Sequence, residues 1–180
     1  QPSYQVEAKI YARYILKNKP NAKVAILRAS DDFGRAYSET FADQIKGSGI
    51  KIVKEATYNP EQSDTKAQVT SLAATNADAL LLGATLLACP NALGNVQSSG
   101  WKPLIYMSGT CTSKTLMAIA GTAGDGVLSV ADIMEPGNPQ WASNSAMTLY
   151  KEQVPKYAPD ADTGAPRWRT SSMSTSRTCA

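Results

Sequence analysis

Five short apolar runs, beginning near residues 23, 51, 79, 103 and 126, recur along this chain with a helix-like segment in every gap. Strands alternating with helices in this way build strand–helix–strand units, which assemble into a parallel sheet covered on both faces. The expected strands are residues 23–28, 50–58, 78–83, 103–108 and 126–131. The first and third (K-V-A-I-L-R and D-A-L-L-L-G) are almost continuously apolar, as strands buried on both faces are. The expected fold class is therefore α/β: a doubly wound, mainly parallel five-stranded sheet.

The gaps carry helical signals. Residues 4–18 place Val6, Ile10, Tyr11, Tyr14 and Ile15 at helical spacing and predict an amphipathic helix. From Arg35, Tyr37, Phe41 and Ile45 recur every four residues on one face, and Gly47-Ser48-Gly49 ends that helix. Ser63 is the expected cap of a helix over 64–75 with Val69, Leu72 and Ala73 inward. Further helices are expected over 90–99, 113–120 and 139–154, the last interrupted at Pro155. Trp101, just ahead of a strand, is expected to pack under the sheet.

Composition narrows the chemistry. The 180 residues contain no histidine, so Ser-His-Asp and Cys-His catalysis and His-ligated metals are excluded within this chain. Cys89, Cys111 and Cys179 lack the C-x-x-C spacing of metal or redox motifs. No G-x-G-x-x-G or P-loop follows the first strand, which argues against a flavodoxin-like enzyme. Of the net charge of +3, all lies in residues 165–180 (Arg167, Arg169 and Arg177); residues 1–164 are balanced. A balanced body without a basic stripe argues against nucleic acid. No run reaches the roughly 20 apolar residues of a membrane span, and no signal peptide is visible at the start.

In open parallel sheets ligands sit beyond the carboxyl ends of the strands. The polar elbow after the first strand, Ala29-Ser30-Asp31-Asp32, with Phe33 and Gly34, stands in that place. Phe33 is a candidate ligand wall, or a helix-entry residue packing on the next turn. Asp31 and Asp32 are expected to cap the helix rather than to bind metal. Tyr37 is expected in the core with Phe41 and Ile45.

E-A-K-I-Y-A-R-Y-I-L (7–16), K-V-A-I-L (23–27), D-D-F-G (31–34), D-A-L-L-L-G (78–83) and S-G-W-K-P-L-I-Y-M-S (99–108) follow one another in order. Together they resemble the branched-chain amino-acid-type periplasmic binding proteins, the type I "Venus flytrap" receptors of ABC importers. The resemblance covers about residues 3–163. It implies a fragment: residues 1–163 as the second ligand-binding lobe, with the first lobe missing, and 164–180 as an irregular or disordered tail. It implies an extracytoplasmic, non-enzymatic protein without cofactor or metal, a small-molecule ligand held between two lobes, and a membrane permease as partner. The ligand would be an amino acid, organic acid, amide or aromatic compound. Residue by residue, the resemblance places ligand contacts at Phe33, at Ala84 and Thr85 after the third strand, and at Gly109 and Thr110 after the fourth. Where the family often has an acid for an ammonium group, this chain has Thr110. If the third and fourth strands are neighbours, Cys89 and Cys111 come within disulfide range; otherwise they are free thiols. A ligand-sensing domain of a receptor or regulator is the alternative with the same fold.

Overall fold

The computed structural model describes residues 3–131 and 134–159. They fall into two compact units, divided after Val130. The first holds a five-stranded sheet: β1 (Lys23–Ala29), β2 (Lys51–Tyr58), β3 (Ala79–Gly83), β4 (Leu104–Met107) and β5 (Leu128–Ser129). The order is β2-β1-β3-β4-β5 and every pair is parallel. β5 is cut to two residues, shorter than the expected 126–131, because it is an edge strand paired only with Tyr106 and Met107.

Right-handed crossovers fix where the helices go. Helix α2 (Asp32–Ile45) links β1 to β2 and lies with α1 (Tyr4–Asn18) on one face. Helices α3 (Lys66–Ala73), α4 (Ala88–Ser98) and α5 (Lys114–Ala120), which lead toward β3, β4 and β5, lie on the other. The pleat divides the strands accordingly: Val24, Ile26, Ala79, Leu81 and Tyr106 face α1 and α2. Ala25, Leu27, Leu80, Leu82, Ile105 and Met107 face α3 to α5.

Helix α1 forms as expected, but turned about its axis. Glu7, Ala8, Tyr11, Ala12 and Ile15 are buried, while Val6, Ile10 and Tyr14 are 43–47% exposed. The small side chains Ala8 and Ala12 let the helix backbone approach its neighbours, a fit that apolar spacing alone does not register.

Local chemistry sets the boundaries. Asp31 caps α2, its side chain accepting from Gly34 N at 2.9 Å. Gly47 takes a φ of +76° after the helix. Ser63 is not the cap of α3: the cap position falls at Thr65, and Asp64 instead accepts from Lys66 N. Helix α4 starts two residues ahead of Pro90, which sits in its first turn. Trp101 packs at the amino-terminal edge of the sheet and donates to the Ala77 carbonyl at 2.9 Å.

In the second unit the expected helix over 139–154 is divided. A 3₁₀ turn, Pro139–Trp141, precedes α6 (Ser145–Tyr157), which Asn144 caps by accepting from Met147 N. Helix α6 continues through Pro155. The proline falls in the last turn, where it removes a single intrahelical donor and few residues remain to be disrupted. The expected tail at 164–180 lies outside the described residues, as does Cys179.

Candidate functional site

In strand order, β1 and β3 are adjacent, yet the chain leaves β1 toward one face and β3 toward the other. This is the topological switch point, where the outgoing loops part and leave a crevice at the carboxyl ends. Phe33 follows β1, Ala84 and Thr85 follow β3, and Gly109 and Thr110 follow β4. The register pairs Arg28 with Gly83 and Leu82 with Met107, so these loops leave the sheet at one level.

Phe33 is half-buried. Its ring meets Tyr4 edge-on at 4.3 Å between centroids and Tyr37 at 5.8 Å. Tyr37 is fully buried in the core, as expected, and lies against Gly83, where an added Cβ would come within 3.0 Å of its ring. Asp31 is committed to its cap, and Asp32 pairs with Arg35 at 2.5 Å. Among the described residues no His, Cys, Asp or Glu grouping has the makings of a metal site.

Ala84 lies beneath the rim rather than on it: its side chain has no exposed surface, and its carbonyl accepts from Thr110 Oγ1 at 3.1 Å. Thr85 is partly exposed, with its backbone N–H donating to Tyr58 Oη at 3.0 Å. Thr110 is partly exposed, and its hydroxyl also lies 3.1 Å from Ser108 Oγ. With its proton given to Ala84, the Thr110 hydroxyl offers a newcomer an acceptor rather than a donor. Gly109 turns its N–H onto the Glu7 carboxylate at 2.9 Å, while its carbonyl accepts from Thr112 Oγ1 at 2.7 Å. Cys89 and Cys111 are joined in a disulfide with Cα atoms 5.7 Å apart, binding the start of α4 to the loop after β4.

A polar layer supports this rim from below. Glu7 accepts from Tyr37 Oη as well as from Gly109, each at 2.9 Å. Tyr11 Oη donates to the Met107 carbonyl at 2.7 Å and accepts from Val130 N at 2.8 Å. Burial, then the negative charge of Glu7, holds the Tyr11 and Tyr37 phenols well above the ordinary tyrosine value. Glu7 and Ser108 went unnoticed in the sequence as site residues. The available signal was a lone carboxylate one turn before Tyr11 on a helix face otherwise made of Ala and Ile.

Two cavities, of about 260 and 270 Å³, open at the opposite, amino-terminal end of the sheet. The first is walled by Trp101, Val96 and Asp125, the second by Asn21 and Asp78.

The architecture is that of one lobe of a type I periplasmic binding protein. The family model described as periplasmic binding protein matches residues 1–169, and the chain belongs to that family. It is 24% identical over 152 residues to the Leu/Ile/Val-binding protein homolog 3 of Brucella melitensis, covering 84% of this chain and 41% of that protein. Among solved structures it is similar to a fatty acid ABC transporter substrate-binding protein from Thermomonospora curvata. That match has a TM-score of 0.72 and 24% identity, covering 89% of this chain and 42% of that one. It is also similar to a branched chain amino acid ABC transporter structure from Thermus thermophilus with bound valine. There the TM-score is 0.73 at 22% identity, over 92% of this chain and 42% of the other. The chain thus spans less than half the length of these relatives.

Proposed function

We propose that this chain is a ligand-binding lobe of an extracytoplasmic solute receptor serving an ABC importer, with no catalysis of its own. The observation that carries the reading is the convergence of Phe33, Thr85 and Thr110 at the carboxyl ends of three adjacent strands, beside the switch point. Family membership supports it, as do relatives whose names describe solute binding.

In this reading a small solute lies between this lobe and a facing one. Phe33 supplies an apolar wall, Thr85 a hydroxyl and Thr110 an acceptor; Ala84 and Gly109 shape the loops that carry them. Such sites bind by burying most of the ligand against few oriented polar groups. Closure about a hinge would then present a composite surface to the permease. A ligand with an ammonium group finds no acid at Thr110, so organic acids, amides and aromatic compounds stand beside amino acids as candidate solutes.

Calorimetry tests this with L-valine, L-leucine, benzoate and octanoate. With half of the burial missing, the isolated chain is expected to bind at best with roughly millimolar affinity, about 4 kcal/mol. A longer protein containing a second lobe should bind one of these classes at least a hundredfold more tightly. Micromolar binding by the 180-residue chain alone would contradict the half-site arrangement.

A further inference from the structure

We propose that Glu7 is a positioning residue of the ligand rim: by holding the Gly109 N–H, it sets the path on which the loop after β4 presents Thr110. This inference rests on reading that rim as the binding site.

Glu7 is 8% exposed, on the inward face of α1. One of its carboxylate oxygens, Oε1, accepts from both Gly109 N and Tyr37 Oη. Gly109 belongs to the loop bearing Thr110, and the Tyr37 ring packs at a tilt against Phe33. A single oxygen therefore couples the polar and the apolar candidates of the site across 102 residues of sequence. One turn on, Tyr11 joins the end of β4 to the chain just beyond β5 through Met107 O and Val130 N. Residues four apart share a helix face, so Glu7 and Tyr11 act from one side of α1.

Gly109 has little freedom to compensate for losing this partner. Its carbonyl is already held by the Thr112 hydroxyl and the Thr112 N–H. A Cβ on Gly109 would come 2.9 Å from the Val130 carbonyl oxygen, so the loop is closely packed there. Without the carboxylate, the Gly109 peptide must rotate to find another acceptor, and that rotation breaks the Thr112 turn. An anionic acceptor also makes a shorter and stronger bond than a neutral amide oxygen does.

The test uses Glu7→Leu and Glu7→Gln in the 180-residue chain, followed by ¹H–¹⁵N NMR and amide hydrogen exchange. Glu7→Leu is expected to speed Gly109 exchange at least about tenfold relative to Leu81 in the core, with shifts at Thr110. Glu7→Gln, which keeps an acceptor, should restore most of that protection and move the Gly109 amide proton upfield. Gly109 exchange that is unchanged, or that rises only in step with Leu81, overturns the proposal. Should Glu7→Leu not fold, an unmoved Gly109 amide proton in Glu7→Gln overturns it as well. L-valine, L-leucine and octanoate are then titrated into each variant. A probe that shifts Thr110 and Phe33 in the unaltered chain should need at least about fivefold more ligand in Glu7→Leu, with Glu7→Gln between. If no probe moves the rim while Gly109 responds as stated, the hold of Glu7 on the loop stands, and calorimetry on a longer protein with a second lobe decides the binding reading: no binding of any probe there overturns it.

Discussion

Gly34 shows how one missing atom sets the geometry of the rim. It is the third residue of α2, and an added Cβ would collide with the carbonyl oxygen of Ala29 at the end of β1. The helix thus begins almost in contact with the strand, which brings Phe33 to the sheet end. Because the obstacle is backbone, Gly34→Ala should cost more than about 2 kcal/mol in urea unfolding. A change below about 0.5 kcal/mol would show that the helix start moves freely. Tyrosines carry a second residue-scale prediction. Burial, and then Tyr14, pushes the Tyr106 phenol up to about 12, and Tyr11 and Tyr37 are raised as well. A phenol raised in the folded state is protonated in both states below about pH 10, so its contribution is intact there. Above that pH the unfolded chain ionises first, and stability falls as pH climbs through the folded values. Melting temperatures should therefore drop steeply from about pH 10 upward. Tyr106→Phe should blunt the drop without loss at neutral pH, because the Tyr106 hydroxyl is buried without a partner. A melting temperature flat to the top of that range would refute the assignment.

At the scale of elements, the loops after β3 and β4 are fastened three ways: Thr110 to Ala84, Tyr58 to Thr85, and Cys89 to Cys111. The disulfide closes a separation of 22 residues, which corresponds to about 3 kcal/mol by chain entropy. Thiol titration of denatured, unreduced chain should find one free thiol of the three cysteines, and full reduction should lower stability by about that amount. Three free thiols without reductant would remove the bridge. Strand pairing this close was conditional in the sequence, because nothing local says which strands are neighbours. The face of α1 was misread for a related reason. Tyr11 and Ile15 are buried, but Val6, Ile10 and Tyr14 stay exposed while Ala8 and Ala12 complete the inward face, where close approach gains more contact than bulk does.

Across the whole molecule, the alternation of apolar runs and helical segments was legible because it is a local pattern, written in the period of each segment. The number of strands, their parallel sense, the Asp31 cap and the core place of Tyr37 all follow from spacing and turn chemistry. The candidate rim was legible too, since loops at the carboxyl ends of parallel strands can be named once the strands are. Other features depended on residues far apart in the chain. Ala84 sinks beneath the rim as Thr110 takes its carbonyl, and Glu7 reaches Gly109 from a helix 102 residues earlier in the chain. Sequence alone determined the class of fold and which loops share an edge, because hydrophobic period and handedness suffice for both. Tertiary structure decided the strand order, the buried face of α1 and the polar atoms left over for a ligand, because these depend on which groups are already hydrogen-bonded across distances that no local pattern records.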